Sequence, residues 1–208
     1  MHSRVPTRLI SLIVATVITV GGVLPILPAR AAAEPPFEIT FPQETSKTYF
    51  GSTYGDRRSG GRRHKGNDLI APRMTEVYAV ADGTIIHVGV SRLSGRTVRI
   101  DHGDGWTSHY IHLNNDNPGT DDGDAPWTLT VAPGIEEGMP VRAGQLIGWV
   151  GDSGNAERTT PHTHFEIRQD DRAINPYDIL QDAFERDSAR EAHLRGLLAV
   201  EESDYDFE

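Results

Sequence analysis

Apolar and polar residues alternate over short runs between Val77 and Arg168. Val77–Ala81, Thr84–Val90, Arg96–Asp101, Trp106–Leu113, Gln145–Val150 and His162–Arg168 each read as a strand, with Gly, Asp and Pro turns between them. Asp82-Gly83 and the segment from Asp101 to Gly105 are hairpin signals, so neighbouring strands are expected to pair antiparallel. The period changes after Asn175-Pro176. From Ile179 to Val200 the chain is rich in Ala, Leu, Glu and Arg, and Leu180, Phe184, Leu194 and Leu197-Leu198 fit a broken helical face. Residues 201–208 are acidic and expected to fray. The pattern predicts a mainly β fold, an antiparallel sheet closed by a C-terminal helix.

Two stretches stand outside this rhythm. Asn114 to Gly138 is polar and carries Asp116, Asp121, Asp122 and Asp124. Its Asp spacing before Gly123 is wrong for an EF-hand, and no Glu stands at the twelfth position. It reads as a solvated insertion at the rim of the domain, with Trp127–Val131 as one further short strand. Glu34 to Ser46 is a Pro-containing lead-in without a clear pattern; residues 34–48 are set apart from a domain spanning 49–180, with a helical, acidic tail at 181–208.

The N-terminus has a different character. Arg4 and Arg8 precede an uncharged apolar stretch from Leu9 to Leu27, and the small residues Ala29, Ala31 and Ala33 follow it. Residues 1–33 therefore read as a signal peptide; the competing reading is an uncleaved membrane anchor, the only membrane contact expected. Both readings place the protein outside the cytoplasm, secreted or in the cell envelope.

Composition narrows the chemistry. A chain of 208 residues that is 37% hydrophobic and 24% charged can form one domain of ordinary size or two very small ones, and its 21 Gly and 13 Pro favour turns. The net charge is −10, and losing residues 1–33, with three Arg and no acids, makes it −13. Nucleic acid is not an expected partner of so acidic a protein. The absence of Cys excludes disulfides, thiolate metal sites and Cys nucleophiles, so any metal must rest on His and carboxylate.

Most of the nine His fall in three short groups. In an extended segment His64 and Asp68 share a face. His162, His164 and Glu166 share another, opposite Thr163, Phe165 and Ile167, which leaves two imidazoles side by side where packing gives little reason for them. In the segment Ser108 to Leu113, alternation with Ile111 and Leu113 inward would put His109 inward too and His112 on the other face; periodicity does not choose between these His. Two imidazoles and one carboxylate are a known donor set that leaves zinc an open position. Water at such an ion has its pKa lowered to about 7, and further imidazoles can handle protons and an oxyanion.

The order of these motifs resembles the lysostaphin-type zinc peptidases, the peptidoglycan endopeptidases. The resemblance runs from Tyr49 to Pro176 and rests on Gly61–Pro72, Val77–Thr84, Asp101–Gly105, Tyr110–Leu113, Val141–Gly148 and Pro161–Arg168. It implies one zinc ion per chain held by His64, Asp68 and His164, with His112 and His162 as catalytic residues. It also implies an antiparallel β domain with a groove over the zinc, and a stem peptide or cross-bridge of peptidoglycan as substrate. Asn67 departs from the apolar residue common beside the ligand Asp, and the 114–138 insertion is expected to line the groove.

Rival readings are weaker. A non-catalytic relative that activates another wall hydrolase would typically lack a ligand, yet all five positions are present; a regulatory partner is not specified by the sequence. A lipoyl-type carrier needs a Lys at a hairpin tip, and neither Lys47 nor Lys65 stands in one. A cupin would place its Glu further from His162 and His164 than Glu166, which is better suited to supporting one of those rings.

Overall fold

The computed structural model describes residues 34–205, with side chains as far as Leu198. The segment read as a signal peptide lies outside the described residues, as do residues 206–208. Among the described residues no helix is long and apolar enough to cross a membrane.

The strands are β1 (Asn67–Ile70), β2 (Glu76–Tyr78), β3 (Gly83–Ser91), β4 (Gly95–Gly103), β5 (Trp106–Leu113), β6 (Pro140–Val141), β7 (Leu146–Trp149), β8 (His162–Gln169) and β9 (Arg172–Ile174), followed by α1 (Tyr177–Tyr205). Seven of them form one antiparallel sheet in the order β1-β8-β5-β4-β3-β6, with β9 also paired to β8; β2 and β7 form a separate pair. The mainly β, antiparallel expectation holds, as does the helix, which starts at Tyr177. The short strands β1, β6 and β9 carry too few residues to show a period.

One face of the main sheet is the core. Tyr110, Phe165, Ile167, Ile85, Ile100 and Leu69 are fully buried there. Tyr110 could be an unhappy choice for such a place, but its hydroxyl accepts the Val80 N–H at 2.8 Å and so keeps its polar end satisfied. Tyr110 and Phe165 face each other across β5 and β8, their rings 5.5 Å apart. This pair fixes the register of the two strands that matter most below.

Residues 34–48 are part of the same packed unit. Ile39 and Phe41 are buried, Phe41 lies 5.1 Å from Phe184 on α1, and its N–H donates to Asp187 at 2.7 Å. The first turns of α1 dock through Leu180 and Ala183, whereas Leu194, Leu197 and Leu198 are exposed.

The 114–138 insertion differs from expectation in two ways. Trp127–Leu129 is a 3-10 turn entered from Pro126, and only Val131 bridges to Gly148; Trp127 stacks instead over the Arg96 guanidinium, 5.1 Å from its ring centre. The insertion is also anchored, not merely solvated. Asp116 is buried, and Arg73 links it (3.2 Å) to Asp121 (2.5 Å) and to buried Asp152 (2.6 Å).

Candidate metal centre

β8 sits between β1 and β5, and the pairing alone delivers two of the sequence-predicted donors to one spot. Asp68 stands directly opposite His164, and Ile111 opposite the same His on the other side. Directly paired positions place side chains within contact distance. His64 arrives four residues ahead of Asp68 through a tight approach. A Cβ on Gly66 would lie 1.9 Å from the Phe165 carbonyl oxygen, so only glycine lets this segment close on β8. Asn67 points away from the cluster into the interior, where its amide donates to the Gly51 carbonyl at 2.6 Å.

The three donor atoms meet closely. His64 Nε2 is 2.7 Å from His164 Nδ1 and 2.9 Å from Asp68 Oδ1, and His164 Nδ1 is 3.0 Å from the same oxygen. The far side of each ring is already committed. His64 Nδ1–H donates to the Thr53 carbonyl at 2.8 Å, and His164 Nε2–H donates to Glu166 Oε1 at 2.9 Å. Both rings therefore turn lone pairs toward each other and toward a carboxylate oxygen. Such a meeting requires a positive charge at its centre, supplied either by an extra proton on His164 or by a metal ion. The titration behaviour says the same. Burial alone would lower His164 and raise Asp68, yet their mutual contact, with Glu166, outweighs it, raising His164 and holding the Asp68 carboxyl well below the usual range. Donor chemistry and convergence fit a divalent ion such as zinc.

Glu166 is the partner that orients this cluster. Burial would push its carboxyl up, but His164 and the Arg168 guanidinium hold it at about 2, and Arg168 Nε donates to Oε2 at 2.6 Å. Arg168 follows Glu166 by two on the same face of β8, so alternation could have revealed it.

His112 and His162 form a second pair beside the first. Their ring centres lie 5.2 Å apart. Each is fixed the same way: His112 Nδ1–H donates to the Ser153 carbonyl at 2.7 Å, and His162 Nδ1–H to the Thr160 carbonyl at 2.8 Å. Nε2 is left as the acceptor on the side of the groove, and His162 Nε2 lies 3.8 Å from Asp68 Oδ1. Burial, with the neighbouring His162, pushes His112 down to about 4, so it is a neutral base near pH 7.

The simple alternation expected for β5 fails here. Tyr110 and Leu113 both face the core, whereas His109, Ile111 and His112 all line the groove. Between the paired positions Val98–Tyr110 and Arg96–Leu113, β5 has one residue more than β4, and His112 takes a left-handed backbone with φ of 66°. This bulge swings the imidazole out of the interior. His109, turned to the same side, is pushed down to about 3 by burial and by Arg168.

An open groove of about 560 Å³ lies over these side chains. None of its lining residues comes from 114–138, contrary to the sequence expectation; Leu93, Ser94, Asn155 and Thr159 are among the residues that line it instead.

Fold and donor set together define an antiparallel β protein whose sheet carries a His-His-Asp cluster suited to a divalent ion, with two spare imidazoles beside it. Residues 62–124 and 128–176, more than half of the chain, match Peptidase family M23, and the chain belongs to that family. It is 34% identical over 118 residues to the DD-carboxypeptidase/endopeptidase Mpg of Neisseria meningitidis, which covers 57% of this chain and 23% of that protein. It is equally 34% identical, over 123 residues, to the murein hydrolase activator EnvC of Escherichia coli, covering 59% of this chain and 25% of that one. The chain thus spans about a quarter of the length of these relatives. Among solved structures, the catalytic domain of the antimicrobial peptidase lysostaphin from Staphylococcus simulans superposes with a TM-score of 0.51 at 28% identity, covering 66% of this chain and 95% of that domain. The lysostaphin-type fold expected from the sequence is the fold observed.

Proposed function

We propose that the chain is an exported zinc-dependent endopeptidase that hydrolyses amide bonds in stem peptides or cross-bridges of peptidoglycan. The observation that carries this reading is the meeting of His64, Asp68 and His164 beside two fixed imidazoles on an open groove. A zinc ion held by those three residues would supply Lewis acidity toward a peptide carbonyl and lower the pKa of water to about 7. Glu166 fixes the tautomer of His164 and keeps its Nδ1 lone pair aimed at the cluster. His112 and His162, tied down through Nδ1, present Nε2 to the groove. Either can accept the proton of the attacking water, and the imidazolium so formed can donate to the developing oxyanion or pass the proton to the leaving amine. Residues 1–33 serve as the export signal, which agrees with a substrate outside the cytoplasm.

Similarity to EnvC supports a second reading, in which the chain binds and activates another wall hydrolase. The complete donor set favours catalysis. Metal analysis and mass spectrometry of fragments released from purified sacculi separate the two. The expected result is about one zinc per chain and new amino and carboxyl termini in the peptides. A wild-type protein that carries no metal and releases nothing would overturn the enzymatic reading.

A further inference from the structure

The acidic chain carries a basic groove. Arg58, Arg62, Arg63, Lys65, Arg99 and Arg168 line it against only Asp68 and Glu166, although the chain as a whole has a net charge of −10. Most of these cations are already engaged. Arg58 pairs with Asp68 at 2.6 Å, Arg168 pairs with Glu166, and Arg62 and Arg63 bond to the carbonyls of Ser59 and Gly55. Arg99 is different. Among the described residues no carboxylate comes within ion-pair distance of it and its guanidinium makes no hydrogen bond, while its Nε is buried without a partner.

Its place in the sheet is as informative as its lack of a partner. Arg99 on β4 stands opposite His109 on β5, and His109 stands opposite Glu166 on β8, so the three form a row across the groove floor. Two strand spacings separate Arg99 from Glu166, roughly 10 Å. The donor residue His164 lies two residues, about 7 Å, further along β8, so Arg99 stands about 12 Å from the cluster, or about three to four residues of an extended peptide. A half-buried guanidinium left with spare donors is matched best by a carboxylate, which can take two of its N–H groups at once.

We infer that Arg99 is a specificity residue: it binds a free carboxylate of the substrate peptide three to four residues from the scissile bond, so the groove selects acidic peptides. The inference rests on the peptidase reading above and adds the charge of the substrate to it. The groove would recognise this group whether it is a side chain or a chain terminus.

The test uses the zinc-loaded full chain and soluble cross-linked muropeptides, native or with their carboxylates amidated by carbodiimide and ammonia. Wild type should cleave the native form with a kcat/KM about ten- to a hundredfold higher than the amidated form. In Arg99→Gln that ratio should fall to near one, and Arg99→Lys should restore part of it. Equal cleavage of both forms by wild type would overturn the role of Arg99 and leave the peptidase reading intact. Should zinc-loaded wild type cleave neither form, the peptidase reading fails. Calorimetry then reads the site directly: a preference for binding native fragments that Arg99→Gln abolishes supports the subsite, and no preference overturns it. Arg99→Gln and Arg99→Lys should both melt within a few degrees of wild type.

Discussion

Replacing Glu166 with Gln probes the support of the proposed metal cluster without touching a donor atom. The carboxylate is 4% exposed and accepts from both sides, from His164 Nε2–H at 2.9 Å and from Arg168 Nε at 2.6 Å. A carboxamide has one acceptor where two are needed. Whichever way it turns, its NH2 group meets an N–H of His164 or of Arg168. Facing His164, it frees the ring to rotate or to move its proton to Nδ1, the atom aimed at the ion. Facing Arg168, it leaves a guanidinium unneutralised near the cluster, which also opposes a cation. Losing such an orienting partner weakens metal binding about ten- to a hundredfold, equivalent to about 1.4–2.7 kcal/mol. Competition for zinc with a chromophoric chelator at neutral pH measures this. His193→Gln, on the exposed part of α1, provides a control that should bind like wild type. An affinity for zinc within twofold of wild type in Glu166→Gln would refute the orienting role.

Separating donors from bases gives a second expectation. His164→Ala should lose both zinc and turnover, while His162→Ala should keep zinc and lose about 10²–10⁴ in kcat; atomic absorption with a muropeptide assay reads both. Gly66→Ala should shift the approach of His64 and cost both metal affinity and melting temperature, since the added methyl meets backbone oxygen and not a movable side chain. Acid should weaken the metal-free protein partly through His109. Its folded value of about 3 lies below the unfolded value of about 6.5, so the unfolded chain takes up a proton that the folded one refuses. Stability therefore falls as pH drops from about 7 toward 3, and metal-free His109→Gln should show a shallower decline in melting temperature over that range.

Part of β4 was legible because Val98 and Ile100 are buried while Arg99 and Asp101 are less so, which writes a short period of two. Phe165 and Ile167 alternate with the His of β8 for the same reason. Strand β3 was less legible, since Ile85 is buried, Ile86 and Val90 are exposed, and a bulge after Ile85 breaks the alternation. The insertion was harder to read. Its acids suggested solvent, but Asp116 is buried against Arg73, a partner forty-odd positions away that no local pattern reveals. The lead-in hid its role likewise, since Ile39 and Phe41 acquire neighbours only when α1 folds back over them. Among the site residues, His64 and Asp68 were weak as a local pair, and only the pairing of β1 with β8 gives them meaning. The carbonyls of Thr53, Ser153 and Thr160 that orient the imidazoles are invisible in a sequence, because every residue carries one. Arg99 left no trace either, being one Arg among many until its neighbours are known.

The extra residue in β5 makes the strand more sensitive to length than to composition. Deleting one position between Ser108 and Asn114 would restore uniform alternation and drive either an imidazole into the oily interior or a leucine out into the groove. Substitution at the bulge itself acts the other way: His112→Gly relaxes a left-handed backbone that costs a non-glycine residue about 1–2 kcal/mol. The variant is thus expected to fold comfortably while doing no chemistry. At this one position, the most comfortable residue for the fold and the residue the proposed mechanism uses are different amino acids.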